Sequence, residues 1–274
     1  MKSILVPFDF SPYAVAALKT AYKISKKSGA EILCVTIIPT LLDWNFLSDQ
    51  LKAKNAQVQE EYDEAVEFLP TYLFSILPTK TPLKSIIQIG VPSESILNVA
   101  NEYSPDLIVI GAYGKGYQDG DFIGSNLQKV IRNAHCPILA VKEALDGNHF
   151  RKLAFASNFS VNSSDSFKLV KPLVKLFRAS VHLVHINTPA HFENSSETLD
   201  RMGFFMKGHE EVTFHLHVFN HRETEKGLIE FSELNQIKWV ALESGHHEKN
   251  PGYQIGTTET LIFQSDLGVL SVKR

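Results

Sequence analysis

The chain repeats itself, and the repeat limits what it can fold into. Residues 153–160, LAFASNFS, reproduce residues 4–11, ILVPFDFS, at an offset of 149, and ASVHLVHI at 179–186 reproduces AEILCVTI at 30–37 at the same offset. Near the end, LGVLSVK at 267–273 matches CPILAVK at 136–142 at an offset of 131, so the second copy is shorter by about eighteen residues. A constant offset across two separate segments implies one supersecondary unit used twice. ALDGN at 144–148 reads as the linker, giving domains at 1–143 and 150–274.

Periodicity supplies the contents of each unit. Ile4 to Val6 is a short apolar run; Ser11 then offers an N-cap with Pro12 at the first helical position. Ala14, Ala17, Leu18 and Ala21 fall at helical spacing, and Lys26, Lys27 and Gly29 close that helix. AEILCVTII is a continuous apolar run, as expected of a strand buried on both faces of a parallel sheet. Residues 46–77 read as helical. KSIIQIG, DLIVIG and PILAVK read as strands, with helices PSESILNVANEY and GSNLQKVIRNA between them. Strands alternating with helices predict an α/β fold: two tandem doubly wound units, each a five-stranded parallel sheet flanked by helices. In the second unit Phe167, Val170, Leu173, Val174 and Phe177 form an apolar stripe interrupted by Pro172, which predicts a kink or a late helix start. PILAVK and GVLSVK would be edge strands, so their mutual pairing, an intrachain pseudo-dimer, is expected. A homodimer of the whole chain is neither required nor excluded.

At 274 residues, 44% hydrophobic and 21% charged, the chain has the makings of two globular, soluble domains. A formal net charge of -3 gives no basic field for nucleic acid or anionic lipid, and no run reaches the roughly 20 apolar residues of a membrane helix. MKSILVPFDFSP has no signal-peptide apolar region, and Cys34 and Cys136 both sit in apolar context, so a reducing, cytoplasmic setting is expected.

The stretch at 111–126, GAYGKGYQDGDFIGSN, carries five glycines and opens onto a helix. It is neither a P-loop nor a dinucleotide fingerprint. Following the fourth strand, it belongs at the carboxyl edge of the sheet, where open α/β sheets bind ligands, and Asp9 after the first strand belongs at that edge too. Its spacing is Gly111-x2-Gly114-x9-Gly124-Ser125. Glycines there can serve turns, Ser125 and Asn126 can simply cap a helix, and Pro7 and Ile37 can be turn and core residues.

That spacing, with ILVPFDFSP, IQIGVPSESIL and NAHCPILAVK around it, resembles the universal stress protein family, and the likeness runs through both halves. The resemblance implies that Gly111, Gly114, Gly124, Ser125 and Asn126 hold the phosphates of ATP and that Pro7, Asp9 and Ile37 line its adenosine end. Helix-start amides and their dipole favour an anion, and Lys115 adds a point charge. Asp119 and Asp121 would repel phosphate unless a divalent cation such as Mg2+ intervenes. Ala112 and Tyr113 depart from the hydroxyl residue and histidine common in the family. The second unit has drifted: Ala156 and Asn158 replace Pro7 and Asp9, and LESGHHEKNPGYQIGTT keeps Gly245 and Gly256-Thr257 but has Leu242 read at the position of Gly111, with Glu243 beside it. One nucleotide site per chain is therefore expected, in a regulatory protein with protein partners; the alternative is a scaffold that binds no nucleotide. With no SGGxDS loop and no base near the glycines, efficient ATP-consuming catalysis is not expected. Nine of the eleven histidines lie after residue 150. His215 and His217 would share a strand face and His246-His247 sit in the drifted loop, but their spacing fits no metal motif.

Overall fold

A computed structural model describes residues 1–116, 123–160, 163–243 and 256–273. It comprises two compact units, Met1–Cys136 and Pro137–Arg274.

The first unit starts as the sequence predicts. Strand β1 (Ser3–Pro7) leads to α1 (Pro12–Ser28), whose N-cap Ser11 accepts a hydrogen bond from the Ala14 amide. Gly29, at φ 75°, closes the helix by donating its amide to the Ser25 carbonyl. Ala14, Ala17, Leu18, Ala21 and Ile24 form its buried face. There follow β2 (Glu31–Pro39), α2 (Asp49–Lys54), α3 (Ala56–Ile76), β3 (Leu83–Gly90), α4 (Pro92–Tyr103), β4 (Leu107–Gly111) and α5 (Ser125–Asn133). The region read as one helical stretch at 46–77 is divided at Asn55, whose side-chain amide donates to the Leu51 carbonyl and so takes over the end of α2. The strands run parallel in the order β3-β2-β1-β4. Chain order reverses between β1 and β4, which makes their carboxyl ends the switch point.

The second unit contains β5 (Ile138–Val141), β6 (Lys152–Ala156), α6 (Ser163–Phe177), β7 (Ser180–Asn187), α7 (Ser195–Met206), β8 (Phe214–Asn220), α8 (Thr224–Leu234), β9 (Trp239–Glu243), α9 (Thr257–Gln264) and β10 (Gly268–Val272). The order β10-β9-β6-β7-β8 is parallel throughout, and its β9-β6-β7-β8 repeats the first unit's β4-β1-β2-β3. PILAVK and GVLSVK do pair: β5 runs antiparallel to β10, with Leu139 opposite Leu270. The strand read as the last of the first repeat thus lies in the second compact unit. The repeat holds at the level of single bonds. The Phe8 amide donates to the Val35 carbonyl, and its counterpart Ser157 donates to Val184. Phe10 and Phe159 both take positive φ, 65° and 52°, a conformation bulky residues rarely adopt.

Helix α6 begins at Ser163 and is unbroken through Pro172, against the late start the proline suggested. A proline there costs about 3 kcal/mol. The five stripe residues are all buried, Phe177 stacking on Phe150 at 4.2 Å, and each buried side chain of that size returns about 1.5–3 kcal/mol. Packing overrides the local penalty.

Candidate functional site

The predicted residues of the first unit fall at one edge of its sheet. Pro7 ends β1, Gly111 ends β4, and these strands are neighbours. Ile37, half-buried, is near the end of β2, which pairs with β1 on the other side. Asp9 follows β1, and its carboxylate ties two chain segments together. Oδ1 accepts the Ser11 amide at 3.0 Å and Oδ2 accepts the Lys115 amide at 2.8 Å, so this side chain fixes the start of the glycine loop against α1. Gly124 is the N-cap of α5 and Ser125 and Asn126, both exposed, are its first residues. Their amides have no intrahelical acceptor. Residues 117–122, including Asp119, Gly120 and Asp121, lie outside the described residues, so the cation expected there has no geometry.

The three signature glycines are glycine for different reasons. A Cβ on Gly111 would stand 2.7 Å from the Tyr13 backbone carbon and 2.8 Å from its Cβ, so the end of β4 must be bare to pack on the first turn of α1. One on Gly114 would stand 2.9 Å from Asp9 Oδ2. Gly124 is different: a Cβ would meet nothing closer than 3.8 Å, and its φ of -55° suits any residue. Nothing in the described protein requires glycine there. The departures Ala112 and Tyr113 are buried, Tyr113 packing edge-on against Tyr13 at 5.0 Å.

The second unit corrects one correspondence drawn from sequence. Ile4 pairs with Leu107 as its counterpart Leu153 pairs with Trp239. Counting along both strands puts Glu243, not Leu242, at the position of Gly111. The misreading carried the offset of 131 from the last strand to β9, where the register gives 132. Where the first unit has a bare glycine, the second carries a carboxylate, which accepts a hydrogen bond from Ser157 Oγ at 3.3 Å. Asn158 keeps the turn by accepting the Ser160 amide at 3.3 Å. Gly245, His246 and His247 lie outside the described residues.

Sequence reading missed a grouping on this unit. His182 on β7 lies opposite His215 on β8, and its Nδ1 is 3.0 Å from His217 Nε2. The parallel register of two neighbouring strands was the signal that would have found it. Burial, then the neighbouring histidines, holds His182 down to about 4; burial also lowers His217. Among the described residues, no group of three or more His, Cys, Asp or Glu side chains could hold a metal ion, and no helix is long and apolar enough to cross a membrane.

Residues 1–142, a little over half of the chain, match the family model described as the universal stress protein family. The chain belongs to that family. A universal stress protein of Thermus aquaticus is 31% identical over 145 residues, which span 52% of this chain and 98% of that protein. One from Methanocaldococcus jannaschii is 28% identical over 150 residues, 52% of this chain and 82% of that protein. Among solved structures, a universal stress protein from Archaeoglobus fulgidus superimposes with a TM-score of 0.74 over 99% of this chain and 96% of its own, at 20% identity. That likeness extends the universal stress protein fold over both halves.

Proposed function

We propose that the first unit binds ATP at the carboxyl edge of its sheet. The phosphates lie against Gly111, Gly114, Lys115, Gly124, Ser125 and Asn126, and the adenosine end lies against Pro7 and Ile37. Asp9 serves chiefly by holding the loop at Lys115, since two main-chain amides already occupy its oxygens. The observation that carries this reading is Gly124. It stands bare at a helix start where the protein itself has room for a side chain, which is what close approach of an anion to the amides of Ser125 and Asn126 requires.

The nucleotide-binding domain is 1–143, and the degenerate domain, 150–274, carries no second site because Glu243 brings a like charge into the equivalent space. ATP occupancy would act as a signal to protein partners in the cytoplasm, with Mg2+ offsetting Asp119 and Asp121. The test is ATP titration of the chain and of Gly124→Val. Binding is expected in the first and lost in the second at unchanged thermal stability; equal affinity in both removes the reading.

A further inference from the structure

The nucleotide reading leaves the histidines of the second unit unused. His182 on β7 lies opposite His215 on β8, and His217 follows two residues later on the same face. The ring of His215 lies beside that of His182, with centres 4.8 Å apart. His182 and His217 meet end on, Nδ1 to Nε2 at 3.0 Å, in one hydrogen bond. His182 is 9% exposed and His217 half-buried, with Phe231 of α8 at 4.9 Å from the His217 ring. β8 is an outer strand: among the described residues it pairs with β7 alone.

We propose that the His182–His217 hydrogen bond is an acid-sensitive latch, holding the outer strand β8 to β7 at neutral pH and releasing it locally once both rings carry an added proton. In the neutral pair one ring nitrogen donates its N–H and the other accepts it on a lone pair. A first added proton enters at the far nitrogen of the donor ring and leaves that bond intact. A second can only fill the accepting lone pair, so that two N–H groups of adjacent cations face each other across 3.0 Å.

No counter-charge absorbs them. The charged groups acting on His182 are His217, His215 and Lys152, and the one acting on His217 is His215, all of them cations when charged. From α8, packed over the pair, the buried residues are Gly227, Leu228, Phe231 and Ser232, none of which ionises. Glu230 of α8 instead pairs with His221 at 3.5 Å, beyond the end of β8. His185 of β7 belongs to the opposite face, 3.7 Å from Glu193. Burial already disfavours charge on His182 and His217, and outward movement of β8 rehydrates both rings. Opening therefore takes up protons and becomes more frequent as the pH falls below the ordinary histidine value near 6.5. An outer strand can open in this way while the rest of the sheet stays folded.

The experiment is amide hydrogen exchange of the full chain between pH 7.5 and 4.5, corrected for the intrinsic pH dependence of exchange, with NMR of the histidine ring protons in parallel. Protection over Phe214–Asn220 is expected to fall by up to about tenfold per pH unit for each proton taken up. The fall begins near pH 6.5, ahead of the inner strand β9, and the ring protons of His182 and His217 shift over the same range. His217→Phe keeps a ring against Phe231 but takes no proton, and is expected to flatten the slope; His182→Phe is the second variant, and the parent chain alone decides if neither folds. Loss of protection in β8 and β9 at the same pH, β8 protection that does not change with pH, or an unchanged slope in a folded variant overturns the proposal. None of these readouts involves nucleotide, so the latch and the ATP reading fail separately.

Discussion

Replacing Gly111 by alanine adds one methyl group to the end of β4, where it stands 2.7 Å from the Tyr13 backbone carbon and 3.0 Å from the Ala14 nitrogen. The neighbours are main chain at the first turn of α1, locked by the Ser11 cap, so they cannot swing aside as a flexible side chain would. Overpacking of this kind costs about 1–3 kcal/mol, which for a unit of this size lowers the melting temperature by roughly 3–11 °C. Gly124→Ala, whose Cβ meets only ordinary contacts, is expected to cost only about 0.5–1 kcal/mol, for the poorer helix N-cap. Urea denaturation of the two variants beside the parent chain, followed by tyrosine and tryptophan fluorescence, measures the difference. Equal stability of the two variants would refute the assignment of Gly111 to packing on α1.

Pro172→Ala restores a backbone donor within α6 and is expected to stabilise the second unit by about 1–3 kcal/mol; a lower urea midpoint would contradict it. The buried histidines set a pH dependence. Because the folded-state affinities of His182 and His217 for protons are depressed, the unfolded chain binds more protons once the pH drops below the ordinary histidine value near 6.5, and stability falls from there toward about 4. Midpoints measured between pH 7.5 and 4.5 are expected to decline, and less steeply in His182→Phe; identical profiles would exclude these groups as the cause.

The fold was largely legible because the signals that set it are local and repeated. Alternating apolar runs and helical stripes placed the strands and most helices of the first unit, and the Ser11-Pro12 start and Gly29 end of α1 fell where capping chemistry puts them. The late start that the proline in α6 suggested did not occur, because the local cost is visible in sequence and the burial of Phe167 and Phe177 is not. At the site, spacing identified the glycines but not their reasons: only coordinates reveal that Gly111 yields to Tyr13 and Gly114 to Asp9 while Gly124 yields to nothing in the described protein. The Glu243 correspondence and the His182 grouping both depend on strand register, which couples residues far apart in the chain.

The central claim is that the bare helix start at Gly124 in the first unit receives the phosphates of ATP, whereas its counterpart in the second, Gly256 at the start of α9, whose amide already donates to Glu259 Oε2, does not. Equilibrium titration of the full chain with ATP and Mg2+, scored for stoichiometry and repeated on Gly124→Val, tests it most directly. One site per chain, abolished by the valine, is the predicted result. Two equivalent sites, or one that survives the substitution, would contradict it.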